Sequence, residues 1–189
     1  MAALPAVPSF GAGSFDTSAQ LNQLAAAVSF LLNPPRALVY KSVSSSRASS
    51  LTSAVVNWDT VITNSDGGWA GASPSRLTCN TPGLYHIEAA VEYASFSGSP
   101  TTAWEIWLGV ARNSASTFPG GGSANALCGE ERPIQTSVGE YASVSFTYFL
   151  SAGDYLEVFT SQVSGGSQTL IPNANYYSGH FGMTWRAVS

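Results

Sequence analysis

The clearest pattern in the chain is an alternation of side chains between Leu84 and Tyr93. Side chains of an extended strand point in turn to its two faces, so such an alternation separates a polar face from an apolar one. One face carries Leu84, His86, Glu88 and Glu92, and the other carries Tyr85, Ile87, Ala89, Val91 and Tyr93. The turn dipeptide Pro82-Gly83 stands immediately before this segment. The pattern predicts a strand with one face in the core and the other in solvent.

Further strand-like segments follow one another from Arg36 to the end of the chain, separated by turn signals. The predicted strands are ALVYKS, AVVNWDTVIT, SRLTCN, LYHIEAAVEY, AWEIWLGVARN, YASVSFTYFL, DYLEVFTSQV and GHFGMTWRAV. The turn signals are Asp66-Gly67-Gly68, Pro82-Gly83, Gly120-Gly121-Gly122, Gly153-Asp154 and Gly165-Gly166. Residues 113 to 133 are predicted to form a long loop. Because this number of strands is typical of a jelly roll, we predict an all-β fold, an antiparallel jelly-roll sandwich.

A helical pattern precedes the strands. Thr17 and Gln20 have the spacing of a capping box, and Asn33-Pro34-Pro35 ends the pattern, which predicts a helix from about residue 18 to 32. Four apolar residues fall on one stripe of this helix: Leu21, Leu24, Val28 and Leu31. The stripe covers fewer than two heptads, too few for an independent coiled coil, so the helix either docks on its own domain or binds a neighbouring subunit or larger assembly. Residues 1 to 15 are rich in Pro, Gly and Ala and are predicted to be an extended arm, which divides the chain into residues 1–35 and a jelly-roll domain of residues 36–189.

Composition and charge exclude several classes of function. Of 189 residues only 10% are charged, and the net charge of -4 argues against binding to nucleic acid, which needs clustered Lys and Arg. No apolar run is long enough to cross a membrane, and the opening MAALPAVPSF lacks the basic start and apolar core of a signal peptide. We therefore expect synthesis in the cytoplasm, with release only by lysis. Cys79 and Cys128 form either a disulfide or two free thiols, and neither has the spacing of a metal site.

The candidate catalytic residues are few. His86 shares a predicted strand face with Glu88 and Glu92, and His180 lies near the end of the chain. A histidine beside a carboxylate can ligate a metal or share a proton, but polar residues on the solvent face of a strand have the same pattern. The common motifs of hydrolases, zinc proteases and nucleotide-binding proteins are absent from the sequence. The sequence predicts no enzyme activity, metal or cofactor.

Large aromatic residues are concentrated in AWEIWLGV, SFTYFL and GHFGMTW. Trp104 and Trp107 stand three residues apart, so in a strand they point to opposite faces. An exposed aromatic ring can stack on a sugar, but more often it belongs to a core or a subunit contact. These strands carry more large apolar residues than one sandwich interior needs, so we predict a subunit interface at or near Trp107, Tyr148 and Phe181.

Several of these segments together resemble the complement globular-head and tumour-necrosis-factor-like superfamily. The similarity covers VITNSDGGWAGASPSRLTCNTPGLYHIEAAVEY, FLSAGDYLEVF and YYSGHFGMTW, in the order found in that superfamily and across about residues 51 to 185. The departures are Trp69, where a Tyr is usual, and the longer segment 113 to 133. The resemblance implies a jelly roll that assembles as a homotrimer.

A second resemblance concerns the segment TSAQLNQLAAAVSFLLNPPRALVY, which is similar to the opening of small virion proteins of tailed actinobacterial phages. It implies a non-enzymatic structural protein on the virion surface, bound to capsid or tail proteins; the sequence does not separate these two locations. The predicted mount consists of Leu21, Leu24, Val28 and Leu31 with Pro34-Pro35 as a stiff joint. The alternative is a tail-associated adhesin that binds host surface glycans through loops 95–103 and 113–133, with Phe96 and Phe118 as candidate contacts.

Overall fold

A computed structural model describes residues 5–6, 8–9, 17–96, 105–113, 125–133, 139–172 and 179–188. Within these ranges the chain forms one helix followed by short antiparallel strands. The elements are α1 Ser18–Leu32, β1 Arg36–Tyr40, β2 Ser45–Arg47, β3 Ser50–Val55, β4 Thr60–Asn64, β5 Arg76–Thr78, β6 Gly83–Tyr93, β7 Glu105–Arg112, β8 Ala126–Pro133, β9 Glu140–Leu150, β10 Tyr155–Val163, β11 Gln168–Leu170 and β12 His180–Ala187.

The strands form two sheets that pack face to face. The larger sheet has seven strands, and six of them follow the order β2-β11-β6-β12-β1-β4. The seventh, β9, pairs along the whole of β6, on the edge opposite to β12 and β11. The smaller sheet has five strands in the order β3-β10-β7-β8, and β5 also pairs with β10. The longest pairing joins β6 to β9, from Gly83 opposite Leu150 to Tyr93 opposite Glu140. The predicted antiparallel jelly-roll sandwich is confirmed.

The hydrophobic core lies between the two sheets, where the alternating faces of their strands meet. The buried face of β6 is the predicted one, with Tyr85, Ile87, Ala89, Val91 and Tyr93 all at most 2% exposed. The smaller sheet contributes Ile106, Leu108, Val110, Leu156 and Val158. On the opposite face of β6, Leu84, His86, Glu88 and Glu92 are half-buried. Burial of one face by another sheet is what holds each strand in register.

Helix α1 begins and ends where its sequence predicts. The backbone N–H of Gln20 donates to Thr17 Oγ1 at 3.3 Å, and the backbone N–H of Thr17 donates to the Gln20 side chain at 2.8 Å, which completes the capping box. At the other end the Asn33 N–H donates to the carbonyl of Ser29. No residue of α1 is buried. Local interactions therefore define where this helix begins and ends, and its half-buried Phe30 packs against the core.

The segment after α1 is attached firmly to the sandwich. Pro35 is buried, and its carbonyl accepts from the backbone N–H of Trp185 at 2.8 Å. The carbonyl of Pro34 accepts from Ser65 Oγ at 3.1 Å. Because each proline also restricts the backbone, this joint is fixed to the body while α1 projects beyond it. The described part of the chain contains no helix with the length and apolar character needed to span a bilayer.

Strand β8 corrects the prediction of a continuous loop between residues 113 and 133. It pairs with β7 from Ala111 opposite Ala126 to Glu105 opposite Pro133. The strand was missed because β8 lies at the edge of its sheet and is polar and exposed over Glu131, Arg132 and Pro133, so no apolar alternation marks it. The segment AVVNWDTVIT, predicted as one strand, is divided between β3, which ends at Val55, and β4, which begins at Thr60.

Candidate interaction surfaces

The four apolar residues predicted to form a stripe on α1 point into solvent. Leu21, Leu24, Val28 and Leu31, which we call the helix stripe, are 45% to 68% exposed, and the neighbouring Leu32 is 80% exposed. They share one side of α1 because residues three and four apart are neighbours on a helix surface. An apolar groove of about 530 Å³ on this side of the helix is lined by Leu21, Leu24, Ala25, Val28, Ser29, Leu32 and Asn33. The sequence of α1 contains no charged residue, so no charged side chain of the helix lies beside this exposed apolar surface.

A different side of α1 contacts the sandwich. The ring of Phe30 meets the ring of Trp185 edge to face, with centroids 4.9 Å apart and planes at 86°. Such an aromatic pair contributes about 1 kcal/mol beyond its buried area. The helix therefore rests on its own domain through Phe30, while the helix stripe faces away from it.

A second partly exposed apolar surface lies where the edge strands of the two sheets meet. β8 is the last strand of the smaller sheet, and β9 is the edge strand beside β6 in the larger one. Between them lie Leu127, Cys128, Phe146 and Tyr148, which pack on the core but are only partly buried. We call these residues the open flank. Tyr148, one of the residues predicted at a subunit interface, belongs to it.

Side chains of β8 cover part of the β9 edge next to the open flank. Glu130 accepts from the backbone N–H of Ser143 at 2.7 Å, and Arg132 donates to the carbonyl of Tyr141 at 3.2 Å. Glu130 and Arg132 also form an ion pair at 2.7 Å. Edge strands with unpaired backbone groups tend to add further strands, and these contacts satisfy two of those groups. The flank is therefore suited to side-chain packing rather than to strand addition.

Two of the predicted contact residues lie in the core instead. Phe181 is 0% exposed and its ring lies 5.8 Å from that of Trp58, so its assignment to a subunit interface is corrected. Phe96 is 1% exposed and packs against Tyr93 at 5.9 Å, so its assignment as a ligand contact is also corrected. Phe181 was misassigned because the interior between the two sheets accommodates more large side chains than the strand pattern suggested, and Phe96 because it stands in the predicted loop 95–103.

The remaining aromatic candidates differ in position. Trp107 is half-buried on the outer face of the smaller sheet, where it packs with Phe159 and Ala111. The indole of Trp107 lies over Gly129 of the neighbouring strand, where a Cβ would come within 2.8 Å of its Cζ2 atom. Phe118 and Trp104 lie outside the described residues. Trp107 thus has a structural role as a cover for this face of the sheet.

The histidines do not form a catalytic arrangement with the described carboxylates. The hydrogen-bond partner of His86 is Ser145, at 3.4 Å. Nδ1 of His180 is buried without a hydrogen-bond partner, and burial lowers the pKa of this histidine while the charge of Glu88 opposes the shift. No group of three or more His, Cys, Asp or Glu side chains that could hold a metal ion occurs in the described ranges.

One carboxylate pair that the sequence did not suggest is formed across neighbouring strands. The carboxyl group of Glu105 on β7 lies near that of Glu131 on β8, and a hydrogen bond to Glu131, which Glu105 can donate only when it is protonated, raises the pKa of Glu105. Glu131 is exposed, so the pair lies on the surface of the sheet rather than in a cleft. The spacing of 26 positions along the chain leaves no local signal for such a pair, which only the pairing of β7 with β8 creates.

Both cysteines are free thiols. Cys79 is fully buried and donates to the carbonyl of Thr81 at 3.2 Å, and burial raises the pKa of its thiol to about 11. A thiol with so high a pKa is hardly ionised at neutral pH and is a poor nucleophile. Cys128 lies in the open flank. Cys79 is therefore a small apolar core residue.

Comparisons with known proteins show the fold. No protein family model and no curated protein sequence matches the chain. Among solved structures, the globular domain of zebrafish complement 1qA protein matches 82% of this chain and 99% of its own, with a TM-score of 0.52 and 13% identity. Murine APRIL at pH 5.0 matches 80% of this chain and 98% of its own, with a TM-score of 0.55 and 14% identity. The chain thus has the jelly-roll fold of the complement globular-head and tumour-necrosis-factor-like domains, as its sequence resemblance implied.

Proposed function

We propose that this chain is a non-enzymatic, homotrimeric structural protein on the surface of a tailed phage particle, held there by α1. The single observation that carries the proposal is the helix stripe, an exposed apolar surface on a helix that has no buried residue. Full burial of a Leu or Val side chain contributes roughly 1.5–3 kcal/mol. Four such residues on one side of a helix suit a hydrophobic groove on another protein.

The attachment of α1 suits a mount. The helix touches the body through Phe30, and the chain is held again at Pro34 and Pro35 by hydrogen bonds to the sandwich. Because the chain is fixed to the sandwich at the C-terminal end of α1, a partner that binds the helix stripe would hold the whole domain in place. We propose that its occupant is a capsid or tail protein of the particle, with the jelly roll displayed on the outer surface after synthesis in the host cytoplasm. The phage origin rests on the similarity of residues 17 to 40 to virion proteins.

The open flank is the observation that supports the proposed homotrimer. Its partly exposed Leu127, Phe146 and Tyr148 adjoin the core, and the net charge of -4 spread over a chain with 10% charged residues offers little protection against association. A closed ring of three subunits would cover the flank of each one with a surface of the next. This arrangement leaves α1 of every subunit available for the particle.

The mount is tested by placing charges on the helix stripe. In particles assembled with a Leu24→Glu, Val28→Glu double variant we expect the protein to be lost from the purified virions. The control is the double variant Asn22→Glu, Ala26→Glu, which adds the same charge to exposed positions on another side of α1. Quantitative mass spectrometry of particles gives the occupancy of each variant. Wild-type occupancy of the stripe variant would exclude α1 as the mount.

A further inference from the structure

The edge of the larger sheet that β4 forms carries a further exposed apolar surface. Val43, Val61 and Ile62 are 62%, 44% and 45% exposed. Val61 and Ile62 belong to β4, the outermost strand on this side of the sheet. Val43 lies close to the start of that strand, because its backbone N–H donates at 3.2 Å to the carboxylate of Asp59, the residue before β4. We call Val43, Val61 and Ile62 the β4 edge.

A β-bulge interrupts β4 at these exposed residues. On β1, Leu38 pairs with Thr63 and Val39 pairs with Val61. Ile62, which stands between the two paired residues of β4, therefore has no residue opposite it. A bulge twists an edge strand and hinders its pairing with a further strand. The β4 edge is thus suited to contact through side chains rather than to strand addition.

β4 carries no charged side chain that would keep other molecules away. Its sequence is TVITN, and the carboxylate of the preceding Asp59 already accepts hydrogen bonds from Ser42, Val43 and Thr60. By contrast β8, an edge strand of the smaller sheet, has exposed charged residues. Charged side chains are a common means of preventing association at an edge strand. The composition of the β4 edge therefore favours association with an apolar partner.

Exposed apolar residues are concentrated on α1 and on this edge. In the part of the chain that the structure describes, ten large apolar residues are exposed; five lie on α1 and three form the β4 edge. The other two are Phe149 and Val188. Single exposed apolar residues are ordinary on a protein surface, whereas groups of them mark contacts with other molecules. The two groups are therefore candidates for one shared contact.

The joint after α1 connects the two groups. Ser65, which follows β4, donates from Oγ to the carbonyl of Pro34 at 3.1 Å and from its backbone N–H to the carbonyl of Arg36 at 2.9 Å. Ile62 precedes Ser65 by three residues, which is about 10 Å along a strand. Leu32, which lines the groove of α1, precedes Pro34 by two residues, which span at most about 7 Å. The two groups thus begin within roughly 20 Å of each other.

Helix α1 alone is too small for a stable contact with another protein. Its 15 residues form a cylinder about 22 Å long and about 10 Å across, so one side of it has an area on the order of 350 Å². A stable interface buries about 800 Å² on each partner, which is a patch roughly 30 Å across. A patch of this size can reach from the helix stripe to the β4 edge. The helix stripe is then one part of a larger contact.

We propose that the β4 edge is a second contact with the same capsid or tail protein that holds α1; this inference rests on the proposed mount. The partner presents an uncharged apolar surface beside its groove for α1, and Val43, Val61 and Ile62 pack against that surface. The second contact fixes the orientation of the jelly roll on the particle. It leaves the open flank to the neighbouring subunit, because β9 and β4 lie at opposite edges of the larger sheet.

The proposal is tested by adding the purified full chain to phage particles assembled without it and measuring the bound protein by quantitative mass spectrometry. The double variant Val61→Glu, Ile62→Glu should bind at least tenfold more weakly than the wild type, because it places two charges in an apolar contact. The control Ser151→Glu, Ala152→Glu adds the same charge at two consecutive exposed positions after β9 and should bind as the wild type does.

Val43→Ser provides a variant outside the strands that keeps the backbone N–H bonded to Asp59 and is expected to fold even if the double variant does not. It should weaken binding several-fold, because one apolar side chain is lost from the contact. Wild-type binding of the folded double variant or of Val43→Ser would overturn the proposal. A smaller sedimenting mass of the double variant would assign the β4 edge to a contact between copies of this chain and would also overturn it.

The helix-stripe variant distinguishes failure of the second contact from failure of the mount. If Leu24→Glu, Val28→Glu binds the particles as the wild type does, the mount itself is refuted. If that variant loses binding while Val61→Glu, Ile62→Glu keeps wild-type affinity, the mount stands and the second contact alone is refuted. Loss of binding in both variants, with wild-type binding of the control, is the result that we expect.

Discussion

Gly83 opens β6 at a place where no side chain fits. Its φ angle is +154°, and a Cβ added there would overlap Nε1 of Trp185 and come within 2.6 Å of the carbonyl oxygen of Ala187. Trp185 is held by a hydrogen bond from Nε1 to Pro82, so the ring has little freedom to move away. We expect Gly83→Ala to lower the free energy of unfolding by about 2 kcal/mol or more. The matched control is Gly166→Ala, at an exposed glycine with no atom within 4 Å of an added Cβ. Equal midpoints of urea unfolding for the two variants would contradict this close packing.

Helix α1 depends strongly on its own ends because none of its residues is buried and its described aromatic contact with the sandwich is that of Phe30 with Trp185. A 15-residue helix without buried residues is close to the length at which isolated helices become marginal, so its cap has a large influence. Thr17→Ala removes the side chain that accepts from the backbone of Gln20 and should cost the helix about 1 kcal/mol. Hydrogen exchange of the amides in α1 should then become about fivefold faster, while exchange in β6 stays unchanged. Thr17→Ser keeps the acceptor and should exchange as the wild type does. Unchanged exchange in Thr17→Ala would show that contacts other than the cap hold the helix.

At the scale of the whole molecule, the open flank predicts assembly. In sedimentation equilibrium at micromolar concentration we expect a mass of about three times the 19.7 kDa of one chain. Tyr148→Glu places a charge among the partly buried residues of the flank and should shift the protein toward monomer, because a charge buried without a partner at an interface is costly. Val61→Glu adds the same charge to an exposed apolar residue on β4, at the opposite edge of the larger sheet, and should leave the trimer intact. A wild-type protein that sediments as a monomer would refute the trimer.

The fold and the candidate mount were predictable because their signals are local. The alternation in β6 and the capping box of α1 depend on neighbouring residues, and backbone geometry converts each directly into structure. Strand β8 has no such signal, since it is a polar edge strand that exists through its pairing with β7. The hydrogen bond from the Gln162 side chain to the carbonyl of Arg47 was equally invisible, because 115 residues separate the two along the chain.

By itself, the sequence determined the two unlike faces of strands such as β6, where α1 begins and ends, and that its apolar stripe is continuous. Only the tertiary structure decided what lies against each face. It placed Phe96 and Phe181 in the core, left Tyr148 half-exposed on a flank and turned the helix stripe toward solvent. The physical reason is that side-chain periodicity depends on local backbone geometry, whereas burial depends on which distant elements pack together, and the same apolar side chain suits a core or an interface.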